Sequence, residues 1–245
     1  HLAFCLAALE QDPTLTRDAL VARVVRDSLE RWRTLYLREG LLATPPGWTF
    51  TDWEQGQLET MGWALPEGVP HAVINAWWAE VCALLGQDSG LSPAAFEAAF
   101  AFQEGYLLVP AGARAARRAQ RGGVTDSVYA HLPEAELRVS PHATAVALAS
   151  GLTDEARRGP ALEWLIECWR SGELASRVTP YFGYFVAQAF ATHAPELAHE
   201  FVSSFYEREA AELGTISEKG TPDESRAHGW SVAFVKFLLP EAGSR

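Results

Sequence analysis

Residues 214 to 230, GTISEKGTPDESRAHGW, gather Glu218, Glu224, His228 and Trp230 in one short polar connection between two amphipathic helical patterns. Loops carried on a rigid helical scaffold are where binding and catalytic groups concentrate. Glu218 stands between Ser217 and Lys219 at a break in the helical pattern, and held at the edge of a cleft it would serve as a general base. The bland alternative is ordinary surface charge, the common state of a loop glutamate. A second concentration lies far upstream, where Trp48, Asp52 and Trp53 are followed by Trp63. Indole faces stack on the apolar faces of pyranose rings and a carboxylate accepts from sugar hydroxyls, so this composition suits a carbohydrate site. The same indoles could equally plug a core beneath a long loop, and the residues alone leave both readings open.

The elements that must position these groups read as helices. Residues 2 to 10 form a short apolar helix, and Thr16 is expected to cap a longer one over residues 17 to 39, with Leu20, Val24, Leu29, Trp32, Leu35 and Tyr36 on its core face. Gly40 stops it. Residues 41 to 70 are irregular. Residues 71 to 86, HAVINAWWAEVCALLG, follow as a helix with Asn75 and Trp78 opening its core face, and a buried Asn75 satisfied by a nearby carbonyl stands beside any pocket role. Ser92-Pro93, Ser140-Pro141 and Thr179-Pro180 each cap and open a helix, over residues 94 to 103, from 141 towards Gly151, and over 181 to 192. Further helices span residues 154 to 170, 196 to 213 and 227 to 239, while residues 104 to 134 are less regular. About nine helices in sequence, joined as antiparallel hairpins, point to an α/α toroid or solenoid.

At 245 residues and 48% hydrophobic, the chain is large enough for one sizeable core and is expected to form one soluble domain. Its net charge of -11 argues against nucleic acid, the arginines of residues 114 to 121 being a solvated face or loop. Cys5, Cys82 and Cys168 have neither ligand nor disulfide-framework spacing and read as small buried hydrophobes of a reducing, cytoplasmic compartment. No apolar run approaches the roughly 20 residues that span a bilayer. The opening HLAFCLAALEQ lacks a basic n-region, so it is read as the middle of a helix rather than a signal peptide, and the chain as a segment of a longer protein. His142, near a helix start, is expected to be neutral and hydrogen-bonding because the helix dipole disfavours its charged form. No His or Cys stands three or four residues beyond it, so no metal is expected, nor any cofactor.

Taken in order, TPYFGYFVAQAF (179 to 190), a helix, GTISEK (214 to 219) and HGWS (228 to 231) resemble the closing segments of the α-L-rhamnosidase-like glycoside hydrolases. WTFTDW (48 to 53) resembles that family's W-x-F-x-D-W segment, NAWWAEV from Asn75 its NALYxxAL helix, residues 124 to 129 a loose GxYxD segment with Asp126, and SPHATAVALASGL (140 to 152) its S-x-x-x-[NT]-A-L-A helix. The resemblance implies an all-α fold of antiparallel helical hairpins forming part of an (α/α)6 toroid, residues 1 to 245 being the later portion of the catalytic barrel. It implies inverting hydrolysis with Glu218 as general base and with Trp48, Asp52, Trp53, Asn75, His142, His228 and Trp230 shaping the sugar pocket. The family's acid-bearing DERLGW-type segment has no counterpart here, so the general acid is expected from a preceding segment. A carbohydrate is the expected partner, with neither nucleic acid nor membrane, and association through an incomplete barrel edge follows from its apolar exposure. Ser217 stands where the family has an aromatic residue and Ile216 where it has a second Thr, which favours the contrary reading of a non-catalytic helical-repeat or degenerate carbohydrate-binding module. A terpene-cyclase-like barrel would carry DxDD or QW repeats, and neither occurs.

Overall fold

A computed structural model describes residues 8–9, 12–46, 67–100, 140–176, 178–213, 215–216, 233–234 and 237–238. These residues are mostly helical, with one small two-stranded sheet. A 3-10 turn over Pro13–Thr16 leads to α1 (Ala19–Tyr36), which is capped by Asp18 rather than Thr16. The Asp18 carboxylate accepts from the amides of Leu20 and Val21, both at 2.9 Å, while Thr16 is already committed to the preceding turn. The expected core face of α1 also divides. Ala22, Val25, Leu29, Trp32 and Tyr36 recur at three- and four-residue steps and pack inward, whereas Leu20, Val24 and Leu35 are 62%, 54% and 46% exposed on the far side.

The helix expected to run to residue 39 ends at Tyr36, and the chain turns into a hairpin, β1 (Leu37–Arg38) with β2 (Leu41–Leu42). Glu39 and Gly40 turn it with φ of 50° and 79°, the two positive angles of a type I′ turn. Gly40 is required twice over, because a Cβ there would also meet the Ser92 Cβ at 2.6 Å. Then come α2 (Ala72–Leu84) and α3 (Pro93–Phe100). After residue 140 the order is α4 (Pro141–Ala149), α5 (Glu155–Arg170), α6 (Pro180–His193) and α7 (Pro195–Leu213). The caps fall where Ser and Thr precede proline. Ser92 Oγ accepts from the Ala95 amide at 3.1 Å, Ser140 Oγ from Ala143 at 3.2 Å, and Thr179 Oγ1 from Phe182 at 3.3 Å.

Helices α2, α4 and α6 form the centre. Every residue from Pro141 to Leu148 of α4 is buried, as are Ala72 to Trp78 of α2 and Phe182 to Ala187 of α6. A helix apolar on all sides needs neighbours on all sides. Accordingly α4 packs against α2, α5 and α6. The pairing of α4 with α6 is parallel: the His142 ring lies 4.3 Å from that of Phe182 near both starts, and His193 Nε2 lies 2.8 Å from the Leu148 carbonyl near both ends. Helices α6 and α7 form an antiparallel hairpin with Ala194 alone between them. Phe190 meets Phe201 at 5.3 Å near that joint, and at the open end the Tyr206 hydroxyl donates to the Pro180 carbonyl at 2.6 Å.

Among the described residues no helix is long and apolar enough to cross a membrane. Cys82 and Cys168 are buried, as their apolar surroundings in sequence suggest.

Candidate functional site

Of the residues singled out from sequence, Trp48, Asp52, Trp53, Asp126, Glu218, Glu224, His228 and Trp230 lie outside the described residues, as do Trp63 and Cys5. Asn75 and His142 are described, and both are fully buried. The chain on either side of the two functional-looking connections is also described, and it defines where each leaves and rejoins the helices.

The tryptophan-bearing connection, residues 47–66, departs from β2 and returns to the start of α2. Its two ends are tied together: Ala43 bridges Pro70, the Thr44 amide donates to the Val69 carbonyl at 3.0 Å, and Thr44 Oγ1 donates to the same carbonyl at 2.6 Å. The Gly68 amide completes the tie by donating to the Thr44 carbonyl at 2.9 Å. Asn75 anchors this pair to α2. Its Oδ1 accepts from the Leu42 amide at 2.7 Å, and its Nδ2 donates to the carbonyls of Leu42 and His71, both at 2.9 Å. Both N–H groups of the amide are therefore spent on backbone, the arrangement anticipated as the structural alternative for a buried Asn.

The glutamate-bearing connection has equally definite flanks. Ile216 is buried two residues before Glu218. Phe234, four residues after Trp230, stacks on Tyr206 with centroids 3.6 Å apart and planes at 15°. Tyr206 is the residue whose hydroxyl reaches the first residue of α6, and Phe237 lies 5.7 Å from Tyr184 in the same helix. The downstream flank is thus held near the opening turns of α6, through Tyr206 and Tyr184.

The early turns of α2 and α6 meet. Trp77, in the second turn of α2, lies 6.0 Å from Phe182 and 4.9 Å from Phe185 in the first two turns of α6, and the His142 ring of α4 lies 4.3 Å from the same Phe182, tilted at 60°. Tyr181 and Tyr184 extend the cluster at 5.8 and 5.1 Å from Phe185. His142 is fully buried against the Phe182 ring. Trp77, Tyr206 and Phe234 were not singled out in sequence, since an aromatic at helical spacing reads as core. Trp77 Nε1 is buried and finds no acceptor among the described residues.

Elsewhere the chemistry is muted. Burial pushes the Cys82 thiol up to about 11, against the opposing pull of the nearby Arg33 guanidinium, so it is protonated and unreactive at neutral pH. Among the described residues no group of three or more His, Cys, Asp or Glu gathers as a metal site would require. No protein-family model matches the chain, and neither does any curated protein or solved structure.

Proposed function

We propose that the chain is the later portion of an (α/α)6 catalytic barrel of the α-L-rhamnosidase-like kind, hydrolysing a terminal sugar with inversion. Glu218 is the general base, activating water on one face of the anomeric carbon, and a carboxylic acid from a segment preceding this sequence protonates the leaving oxygen from about 6.5 to 9.5 Å away. Trp48, Asp52 and Trp53 supply stacking and hydroxyl recognition, and His228 and Trp230 complete the sugar pocket. Neither a metal nor a cofactor takes part in this scheme.

One observation supports the reading above the rest. The Thr44–Val69 tie leads into the opening turn of α2, Phe234 and Phe237 on the other side lie against Tyr206 and against Tyr184 of α6, and the early turns of α2 and α6 share the Trp77–Phe182–Phe185 cluster. Had the flanks met opposite ends of separate helices, a common sugar site would have no basis. The parallel pairing of α4 with α6 also agrees with a toroid, in which inner helices run alike and loops collect at one end.

The non-catalytic reading draws on a different observation. The aromatic rings of Trp77, His142, Phe182 and Phe185 fill the space where α2, α4 and α6 converge. An assay of the full parent protein and its Glu218→Gln variant on aryl-rhamnosides and related aryl-glycosides separates the two. The variant is expected to lose on the order of 10² to 10⁴ in kcat, the usual worth of a positioned base. Wild-type turnover retained in the variant removes Glu218 from the mechanism, and glycoside binding without turnover in either protein supports the non-catalytic module.

A further inference from the structure

The outer face of α1 carries a stripe that the fold leaves uncovered. Leu20, Val24, Asp27, Arg31 and Leu35 recur at steps of four, three, four and four residues, which sets them in one line along the side of the helix opposite the buried Ala22 and Leu29. Of the five large hydrophobic residues exposed among the described ones, three lie in this line: Leu20, Val24 and Leu35. Arg23 and Glu30, one heptad apart and both exposed, border it along one side. An open depression of about 360 Å³ follows the same border, lined by Asp27, Glu30, Arg31, Thr34 and Leu35. Apolar residues gathered in a line and rimmed by charge mark a contact surface, whereas scattered ones mean nothing.

The charges of the stripe select what covers it. Arg23 and Arg31 balance Asp27 and Glu30, so a partner of a single sign would meet as many like charges as opposite ones. A second α1 running antiparallel, with the two-fold axis beside residues 27 and 28, meets each charge with its opposite. Arg23 comes against Glu30 of the other copy, and Arg31 reaches Asp27 from the neighbouring turn. The same register sets Leu35 against Leu20, and Val24 against the aliphatic stem of Arg31. Every one of these contacts is made twice across the axis. A parallel pair would instead set Arg23 beside Ser28 and Glu30 beside Leu35, with no such matching. Glu30 is available for the contact: its Oε2 lies 3.1 Å from Arg33, yet its side chain is 65% exposed, and the other oxygen can accept from Arg23.

We propose that the outer face of α1 is a self-association surface, on which two copies of the chain pair antiparallel through Leu20, Val24, Asp27, Arg31 and Leu35, with Arg23 and Glu30 fixing the register. The pairing is independent of the activity proposed above. An 18-residue helix is about 27 Å long, and contact along one such helix falls below about 1,200 Å², the range of weak and transient interfaces. The dimer therefore exchanges with monomer and grows in with concentration.

The test is sedimentation velocity of the full parent protein over about 5 to 500 µM, a range that brackets weak association. Wild type is expected to pass from monomer to dimer across it. Arg23→Glu and Glu30→Arg each turn two attractive pairs into two repulsive ones, and each should weaken the dimer about tenfold. An equimolar mixture of these two variants sets opposite signs against each other at both contacts again, so a mixed dimer should form within about threefold of wild-type affinity. Leu20→Asp, at an exposed site in the first turn of α1, should abolish association while leaving the thermal melt unchanged. A parent protein that stays monomeric at every concentration overturns the proposal, the stripe then belonging to another occupant. Association of equal strength in wild type and all three variants places the contact elsewhere and overturns it as well. Weakening in both charge variants with no recovery in their mixture overturns the two-fold pairing. Glycoside turnover, present or absent, bears on the activity alone.

Discussion

Gly183→Ala is a substitution whose sign separates local propensity from tertiary packing. Within a helix, alanine is ordinarily favoured over glycine by about 1 kcal/mol. In α6 a Cβ at position 183 would stand 2.5 Å from Tyr206 Oη, 2.8 Å from Phe205 Cε1 and 3.2 Å from Tyr206 Cζ. Tyr206 cannot swing aside without loss. Its hydroxyl is bonded to the Pro180 carbonyl at 2.6 Å and its ring lies 3.6 Å from Phe234, while Phe205 is stacked on Phe201 at 5.0 Å. Overpacking of this kind costs about 1–3 kcal/mol, and a lost buried hydrogen bond adds about 1 kcal/mol. After subtracting the propensity gain, the net destabilisation is about 1–3 kcal/mol, or roughly 2–12 °C in Tm for a chain of this size. Urea unfolding followed by circular dichroism would register it as a lower midpoint at constant slope. The double variant Gly183→Ala with Tyr206→Phe removes the nearest clashing atom, so its cost should fall short of the sum of the singles by about 0.5 kcal/mol or more. A Gly183→Ala protein as stable as wild type, or more so, would refute the close approach of α6 and α7, and strict additivity would refute Tyr206 as its cause.

Two further outcomes follow from caps and burial. Ser140→Ala removes the Oγ acceptor for the Ala143 amide at a buried helix start and should cost about 1 kcal/mol, measurable as a shifted urea midpoint. Cys82 binds its proton more tightly folded than unfolded, so its contribution is fully present below its ordinary value near 9 and is lost as pH climbs towards about 11. Stability should therefore decline across that window in wild type and less so in Cys82→Ala, and the thiol should resist a disulfide reagent at pH 8 until the chain unfolds.

Much of this architecture was legible because local chemistry decided it. Ser140-Pro141 and Thr179-Pro180 combine a side-chain acceptor with a ring whose missing N–H is not needed in the first helical turn, and both helices begin there. Gly172 and Gly151 end α5 and α4 with φ of 78° and 70°, values that glycine adopts freely. What sequence misread was decided by distant partners. Thr16 and Asp18 are both acceptable caps, and the preceding 3-10 turn selected between them. Leu20, Val24 and Leu35 look like core and lie outward because Trp32 stacks on Trp78 at 6.5 Å and fixes the rotation of α1. The hairpin at Glu39-Gly40 was hidden by strands two residues long, too short for an alternating pattern. At the candidate site, the flanks became legible only through contacts such as Phe234 on Tyr206, which join residues that have no sequence relation. Asn75 shows the complementary case: its residue type announced a buried polar role, and only its partners revealed which one.

The knot of bonds joining Thr44, Gly68 and Val69 carries an evolutionary corollary. Two chain ends held at the spacing of paired strands make a socket, and whatever is plugged into a socket can be exchanged without refitting the wall behind it. Lengthening the insert twofold would add only about 0.6 kcal/mol of closure entropy. New recognition chemistry could therefore be grafted at this point while α2 keeps its place, and descendants of one scaffold would be expected to diverge here sooner than in their helices.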